Sequence, residues 1–372
     1  GNSYGFGPNG NLVYGIRETL LGSDKLTWEK SYKTNIGLEM MLWGKLNLTL
    51  DYYWERRKDI LIQRSSLPSM AGFDASIYAN MGEMDNKGVD ANLEYQTRIG
   101  NKVGLRLFGN LTYSKNKIVF RDEPAMQYAY QKSEGTRYGE FYGYIAEGYF
   151  QSEEEIKKSP RQMRELAPGD IKYKDLNDDG VIDANDQCYL GKSWFPSWSY
   201  GMGFNINYHN FDLALFFQGV SDVSIMANGG SIDTGNGDWG ASGVGIVPFT
   251  GMGLNPSNVI TKALDRWTAD NPRADAWYPR MTANATTNDN NYVNSTHWLK
   301  DGSYLRLKQA SLGYTLENKK LMDKGIEYLY FYLSGQNLLT FSKFKLWDPE
   351  LGSNGAKYPL SRMVTLGMRV SF

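Results

Sequence analysis

The 372-residue sequence has a single cysteine, two histidines, almost no net charge and no long apolar run. Because Cys188 is alone, an intrachain disulfide is excluded. No stretch reaches about 18 apolar residues, so no transmembrane helix is expected. The net charge of −1, with both signs interspersed, argues against a nucleic-acid partner. His209 falls in a predicted turn and His297 lies beside Trp298, so we expect no catalytic dyad and no enzyme.

What the sequence does contain is strict alternation of apolar and polar residues. The last twelve residues read SRMVTLGMRVSF, and their apolar members occupy every second position: Val364, Leu366, Met368, Val370 and Phe372. Successive side chains of a strand point to opposite faces, so one face of this strand meets an apolar medium. A terminal aromatic residue is typical of the closing strand of a transmembrane β-barrel, where it lies in the interfacial aromatic girdle.

The same alternation recurs in eight earlier segments, which brings the expected number of strands to about nine. Near the end of the chain the alternation slips between Leu307 and Leu312, which predicts a β-bulge. The eight segments are 35–42, 46–55, 89–95, 103–113, 200–208, 211–217, 305–316 and 328–333.

The connections between these strands alternate between short and long. The links at 43–45, 98–102, 209–210 and 317–325 are short, whereas those at 57–82, 121–198, 221–302 and 339–360 are long. Transmembrane barrels have short periplasmic turns on one side and longer extracellular loops on the other. The sequence therefore predicts an all-β fold, an antiparallel transmembrane β-barrel, with 121–198 and 221–302 as long extracellular loops and Phe372 at the periplasmic end.

The number of strands has a further consequence. Bacterial single-chain barrels have an even strand number, and an open sheet edge is not tolerated in lipid. Nine strands that begin at the outer face therefore do not close a barrel. We expect residues 1–372 to be the C-terminal portion of a larger barrel whose first strands lie upstream of Gly1.

Several motifs occur in order along nearly the whole chain. They are LTWEKS at 26–31, KDIL at 58–61, NKGV at 86–89, PGDIKY at 168–173, DLNDDGVID at 175–183, FFQG at 216–219, DGSYLRLK at 301–308, GYTL at 313–316 and GQNL at 335–338. Together they resemble the C-terminal half of SusC-type TonB-dependent outer-membrane transporters of the RagA/SusC-like family. The resemblance implies a barrel of about 22 strands in the outer membrane, an N-terminal plug and coupling to TonB. It also implies a SusD-like surface lipoprotein that captures the substrate, usually a glycan; importers of peptides would look similar.

The Asp-rich segment 175–186 matches the spacing of an EF-hand loop. Oxygen ligands are expected at positions 1, 3, 5, 9 and 12 of such a loop, a backbone carbonyl at position 7 and glycine at position 6. No helical flanks are evident, so a structural Ca²⁺ and an Asx-rich turn held by its own hydrogen bonds remain alternatives. The candidate ligands are Asp175, Asn177, Asp179, Val181, Asp183 and Asp186.

The long loops are rich in aromatic and amide side chains, which suit the C–H faces and hydroxyls of sugars. Trp239, Trp277 and Trp298 are the candidate substrate-binding rings. The alternative for each ring is that it packs the loops together or lies in the interfacial girdle.

Together with these patterns, the resemblance implies TonB-dependent import of an oligosaccharide across the outer membrane. The alternative is a soluble Ca²⁺-dependent carbohydrate-binding or adhesive β-domain. The two differ in what the apolar strand faces contact, which is lipid in the first and a second sheet in the other.

Overall fold

The computed structural model describes residues 22–23, 25–66, 77–100, 102–163, 165–228, 260–281, 290–353, 355 and 357–372, and the backbone of 3–6 and 11–14. The strands are β1 Ser3–Phe6, β2 Asn11–Tyr14, β3 Lys30–Leu42, β4 Leu46–Gln63, β5 Tyr78–Ile99, β6 Val103–Phe120, β7 Glu140–Gly143, β8 Ala146–Tyr149, β9 Ile171–Tyr173, β10 Cys188–Ser193, β11 Trp198–Tyr208, β12 Phe211–Ser221, β13 Ser224–Met226, β14 Leu299–Asp301, β15 Tyr304–Leu316, β16 Tyr328–Ser342 and β17 Met363–Ser371. The helices are α1 Glu153–Lys158 and α2 Lys319–Met322.

Nine of these strands form one antiparallel sheet. Its order is β3-β4-β5-β6-β11-β12-β15-β16-β17, so neighbours in space follow one another along the chain apart from the short strands of the loops. Eight of the nine predicted segments lie within one of these strands and the last, 361–372, overlaps β17, which confirms the all-β, antiparallel prediction. No helix in the described part of the chain is long and apolar enough to cross a membrane.

The sheet has one apolar face and one polar face. Residues paired across neighbouring strands share a face, so an apolar row can be followed through six strands: Leu105, Ile206, Leu213, Leu312, Leu333 and Leu366. The adjacent row is mostly polar: Arg106, Asn205, Ala214, Ser311, Ser334 and Thr365. Ile36 and Leu366 on the apolar face are 68% and 81% exposed, and no second sheet of the described residues covers them. Such a face requires lipid as its solvent.

The predicted bulge is confirmed in β15. Leu307 pairs with Leu339 and Gln309 with Gln336, so the register shifts around Lys308. The register of β15 with β12 shifts at the same place, between Phe216 and Phe217. A bulge locally increases strand twist, and it explains why the apolar residues change phase between Leu307 and Leu312.

The predicted long loop 57–82 is wrong at both ends, where 57–63 and 78–82 belong to strands. Strand β4 continues to Gln63 and β5 begins at Tyr78, so the connection is 64–77. The added strand residues include opposite charges that pair across the two strands: Arg56 Nε lies 2.6 Å from Asp85 Oδ1, and Lys58 Nζ lies 3.8 Å from Glu83 Oε1. The strands β4 and β5 thus extend past the part of the sheet whose outer face is apolar. Their ends pair through the backbone but show no alternation of apolar and polar residues, so the sequence does not indicate them.

Candidate functional site: the loop body

The two longest connections fold together at one end of the sheet, between the ends of β6 and β11 and of β12 and β15. We call their described residues, 121–163, 165–197, 222–228, 260–281 and 290–303, the loop body. Three short antiparallel strand pairs give it a backbone framework: β7 with β10, β8 with β9, and β13 with β14. The last pair joins residues from the two sides of the 222–303 connection.

The loop body has an aromatic core of its own. Tyr149 donates a hydrogen bond to the Ala276 carbonyl at 2.8 Å, and the Trp298 indole donates one to the Asn291 carbonyl at 2.7 Å. These partners satisfy the polar ends of rings that are otherwise removed from water. The buried aromatic members of this core are Phe141, Tyr144, Tyr149, Tyr173, Trp267, Tyr278 and Trp298.

A buried ion pair locks two distant segments of the loop body together. Asp170 is fully buried, and the Arg280 guanidinium contacts it through Nε at 2.7 Å and Nη2 at 2.9 Å. Asp170 also accepts a hydrogen bond from the Asn291 amide at 2.8 Å, and Ile171 N donates to Asn291 Oδ1 at 2.9 Å. Gly169 adopts a φ of +92°, and a Cβ there would collide with the Trp267 ring. Sequence reasoning noted the PGD motif but did not find the role of Asp170.

The structure separates the three predicted sugar-binding rings. Trp239 lies outside the described residues. Trp298 is fully buried and packs the core, so it offers no ring face to a ligand in this structure. Trp277 is half-buried; it packs edge-on against Tyr278 and Trp298, with ring centroids 4.5 Å and 5.4 Å away. Of the two described rings, Trp277 is therefore the one that reaches a cavity.

That cavity measures about 710 Å³ and lies where the loop body meets the end of β16. The volume falls within the range of small-molecule sites, roughly 300–1,000 Å³. Aromatic and basic side chains dominate the lining, which includes Lys262, Trp277, Lys300, Lys343, Phe344 and Lys345. Sequence reasoning missed these lysines, because they come from three separate segments of the chain.

Burial shifts two titratable groups beside Trp277. The pKa of Lys300 is lowered to about 8, first by desolvation and second by the charge of Lys262. Desolvation likewise lowers the pKa of His297 to about 4, with Lys300 as the second cause. Lys300 Nζ donates to the His297 carbonyl at 2.6 Å and lies 5.2 Å from the Trp277 ring centroid. The Lys300 ammonium is thus stabilised by a hydrogen bond to the His297 carbonyl and by a cation–π contact with Trp277.

The Asp-rich loop is held by side-chain hydrogen bonds to backbone N–H groups. Asp175 accepts from Gly180 N at 2.8 Å and Asp179 from Val181 N at 2.9 Å. Asp186, fully buried, accepts from Leu176 N at 2.7 Å and Asp183 N at 2.9 Å. These bonds are those of an Asx-rich turn. Asp175 Oδ1 is buried without a hydrogen-bond partner. In the described residues, no three His, Cys, Asp or Glu side chains form a metal-binding group.

The exposed apolar face and the polar face of the sheet define a transmembrane β-barrel of the outer membrane, with the loop body at one end. The family model described as TonB dependent receptor-like, beta-barrel, matches residues 2–338. The chain belongs to this family. The soluble alternative is thereby excluded, and the relatives are receptors, which confirms that the chain is not an enzyme.

Two curated relatives and one solved structure show how far the similarity extends. The TonB-dependent receptor P3 of Formosa agariphila is 28% identical over 97% of this chain and 36% of its own length. TonB-dependent receptor SusC of Bacteroides thetaiotaomicron is 23% identical over all of this chain and 35% of its own length. The RagAB peptide importer in its closed-closed state superimposes with a TM-score of 0.70 at 22% identity, over 100% of this chain and 38% of that one. The chain thus spans little more than a third of these relatives.

Proposed function

We propose that the protein takes part in TonB-dependent import of an oligosaccharide across the outer membrane. A solute captured at the loop body enters the lumen when a plug, supplied by another part of the complete transporter, is displaced by force from TonB. A SusD-like lipoprotein covers the loop body and presents the substrate to it.

One observation carries the proposal: a cavity lined by Trp277 lies where the loop body meets the end of β16, above a sheet whose second face is mostly polar. The aromatic ring suits the C–H face of a sugar, and the polar face suits a hydrated solute in transit. Cross-strand ion pairs such as Arg106 Nε with Glu94 Oε1, 2.7 Å apart, contribute to the polarity of that face.

The test is uptake in cells that carry or lack the complete transporter. Outer-membrane import of labelled oligosaccharides should require both the transporter and TonB, and a surface lipoprotein should co-purify with it in detergent. A matched set of labelled peptides serves as the competing cargo. Uptake of peptides instead of oligosaccharides would refute the substrate class, and uptake that persists without TonB would refute the energy source.

For the loop at 175–186, we also propose a structural Ca²⁺. Its donors are hard carboxylate and amide oxygens, and the unpartnered Asp175 Oδ1 is available to an ion. The candidate oxygens do not surround a common point in this structure, so ion binding must rearrange the loop. The proposed ligands are Asp175, Asn177, Asp179, Asp183, Asp186 and the Val181 carbonyl.

Calcium should raise the protease resistance of this loop, and EGTA should reverse the effect. Asp175→Asn should abolish the response, whereas Asp178→Asn should retain it, because exposed Asp178 is not among the proposed ligands. Equal resistance with calcium and with EGTA would show that the loop is an Asx-rich turn alone.

A further inference from the structure

The cavity beside Trp277 has an unbalanced positive charge. Four of its lining residues are lysines, and Asp301 is the carboxylate that accompanies them in the lining. Lys343 Nζ lies 4.0 Å from Asp301, and Lys262 Nζ lies 2.7 Å from Asp265, which Arg273 also contacts. Among the described residues, no carboxylate lies within 4.0 Å of Lys300 or Lys345.

Among the four lysines of the cavity, Lys300 is the one whose pKa is lowered by burial. Its ammonium is half-buried, and its direct neighbours are the His297 carbonyl and the Trp277 ring. The charge of Lys262 opposes that of Lys300, which is part of why the Lys300 pKa falls to about 8. An anion in the cavity would relieve this repulsion and restore the missing counter-charge.

The aromatic lining restricts what kind of anion fits. Trp277 and Phe344 supply apolar surface beside the ammonium groups, so a ligand must offer an apolar face and a negative group a few ångströms apart. A sugar ring with a carboxylate or a sulfate has both. Lysine ammonium groups act as point charges and do not require the planar, bidentate geometry that arginine selects, so they accept either anion.

We propose that this cavity is a subsite for an acidic sugar residue, with the sugar ring against Trp277 and its carboxylate or sulfate on Lys300. The inference rests on the proposed import function, because it names the substrate class within oligosaccharides. Binding measured directly keeps the two separable: an acidic oligosaccharide that binds here but is not imported refutes the import function alone.

The experiment is calorimetric titration of the complete transporter in detergent. The probes are a tetrasaccharide of uronic acid, a sulfated tetrasaccharide, a neutral tetrasaccharide of the same length and a tetrapeptide of glutamate. We expect one or both acidic saccharides to bind at least tenfold more tightly than the neutral one, and the two acidic arms identify the anion. Lys300→Met should remove this preference, whereas Lys320→Met, on α2 at the opposite end of the sheet, should leave it intact.

A pH series supplies a readout that a merely structural role would not change. The charged or titratable groups that face Lys300 are Lys262, His297, Asp301, Lys343 and Lys345. The pKa of Lys300 in the protein without ligand is about 8, so the charged fraction of Lys300 falls roughly tenfold from pH 7 to pH 9. Affinity for the acidic saccharide should fall by the same factor. Lys300→Arg should bind with a much flatter profile, because arginine keeps its charge over that range.

Three results would overturn the proposal. They are equal affinity for acidic and neutral saccharides, a preference that survives Lys300→Met in a variant with normal heat-modifiable migration, and Lys300-dependent binding of the glutamate peptide in place of the saccharides. If Lys300→Met fails to fold, Lys300→Arg tests the proposal instead. An affinity for the acidic saccharide that falls as steeply with pH in Lys300→Arg as in the unmodified protein also refutes the role of Lys300.

Discussion

The nine-stranded sheet and the loop body place their large apolar side chains in opposite environments. On the sheet, Leu366 is 81% exposed and Ile36 is 68% exposed, whereas in the loop body Trp298 is fully buried. The polar groups are reversed in the same way: Arg106 and Glu94 are both partly exposed on the polar face of the sheet, while in the loop body Arg280 pairs with the fully buried Asp170. Apolar side chains therefore lie on the outside where the solvent is lipid, and in the interior where the solvent is water.

This difference separates what stabilises each region. The sheet is held by backbone hydrogen bonds between strands and by transfer of its outer face into lipid. The loop body depends on burial of aromatic rings and on a few polar contacts between segments far apart in sequence. Substitutions that discriminate between the two regions should damage one and leave the other folded.

The largest effect is expected from Asp170→Ala. The change leaves Arg280 and the Asn291 amide without their partner, and removal of one member of a buried ion pair costs about 3–5 kcal/mol. The loop body of the complete transporter should become sensitive to protease in detergent, while heat-modifiable migration of the barrel stays normal. Asp275→Ala is the control, because the Asp275 side chain is 86% exposed. Protease resistance equal to that of the control would show that the pair does not hold the loop body together.

Leu366→Arg should instead destabilise the sheet. Leu366 lies near the middle of β17 on the apolar face, and an arginine on the lipid face at that depth costs about 2–4 kcal/mol. Thr365→Arg places the same side chain one position away on the polar face and should cost much less. Urea unfolding of the complete transporter in lipid vesicles measures both. Equal losses for the two variants would contradict the assignment of the faces.

Much of the sheet could be predicted from sequence, because lipid imposes the same two-residue period on every strand. The period located all nine strands and the slip at Lys308. It failed at the ends of β4 and β5, where Arg56 and Asp85 face water on strands that continue beyond the apolar zone. There the backbone ladder persists, but neither face of the strand has to be apolar.

The loop body could not be predicted in the same way, because its contacts join segments far apart in the chain. Asp170 and Arg280 are 110 residues apart, and no local period relates them. Residue type alone made Trp277 and Trp298 equivalent candidates, whereas packing separates a ring at a cavity from a ring in a core. The lysines of the cavity gave no signal either, since each looks like an ordinary surface residue in its own segment.

The smallest of the three effects is a pH dependence confined to the loop body. His297 Nε2 lies 3.1 Å from the Trp277 carbonyl, an acceptor, so Nε2 carries the proton of the neutral ring. Burial and the nearby Lys300 hold the pKa of His297 at about 4, below its usual 6.5. The folded loop body therefore binds this proton less readily than the unfolded chain does. Its stability should fall as the pH drops from about 6.5 to about 4, by about 2 kcal/mol at pH 5.

Other groups also titrate in this range, so the informative quantity is the difference between the unmodified transporter and His297→Gln. Glutamine has no such titration, so the variant should lose less loop-body stability between pH 7 and pH 5. Hydrogen exchange of the amides in β8 and β14 measures that stability locally, and the amides of β16 report on the sheet. An identical pH dependence in both proteins would mean that His297 is not the group responsible. A change in β16 as large as that in β8 would mean that the two regions do not unfold separately, and the comparison between sheet and loop body would then fail.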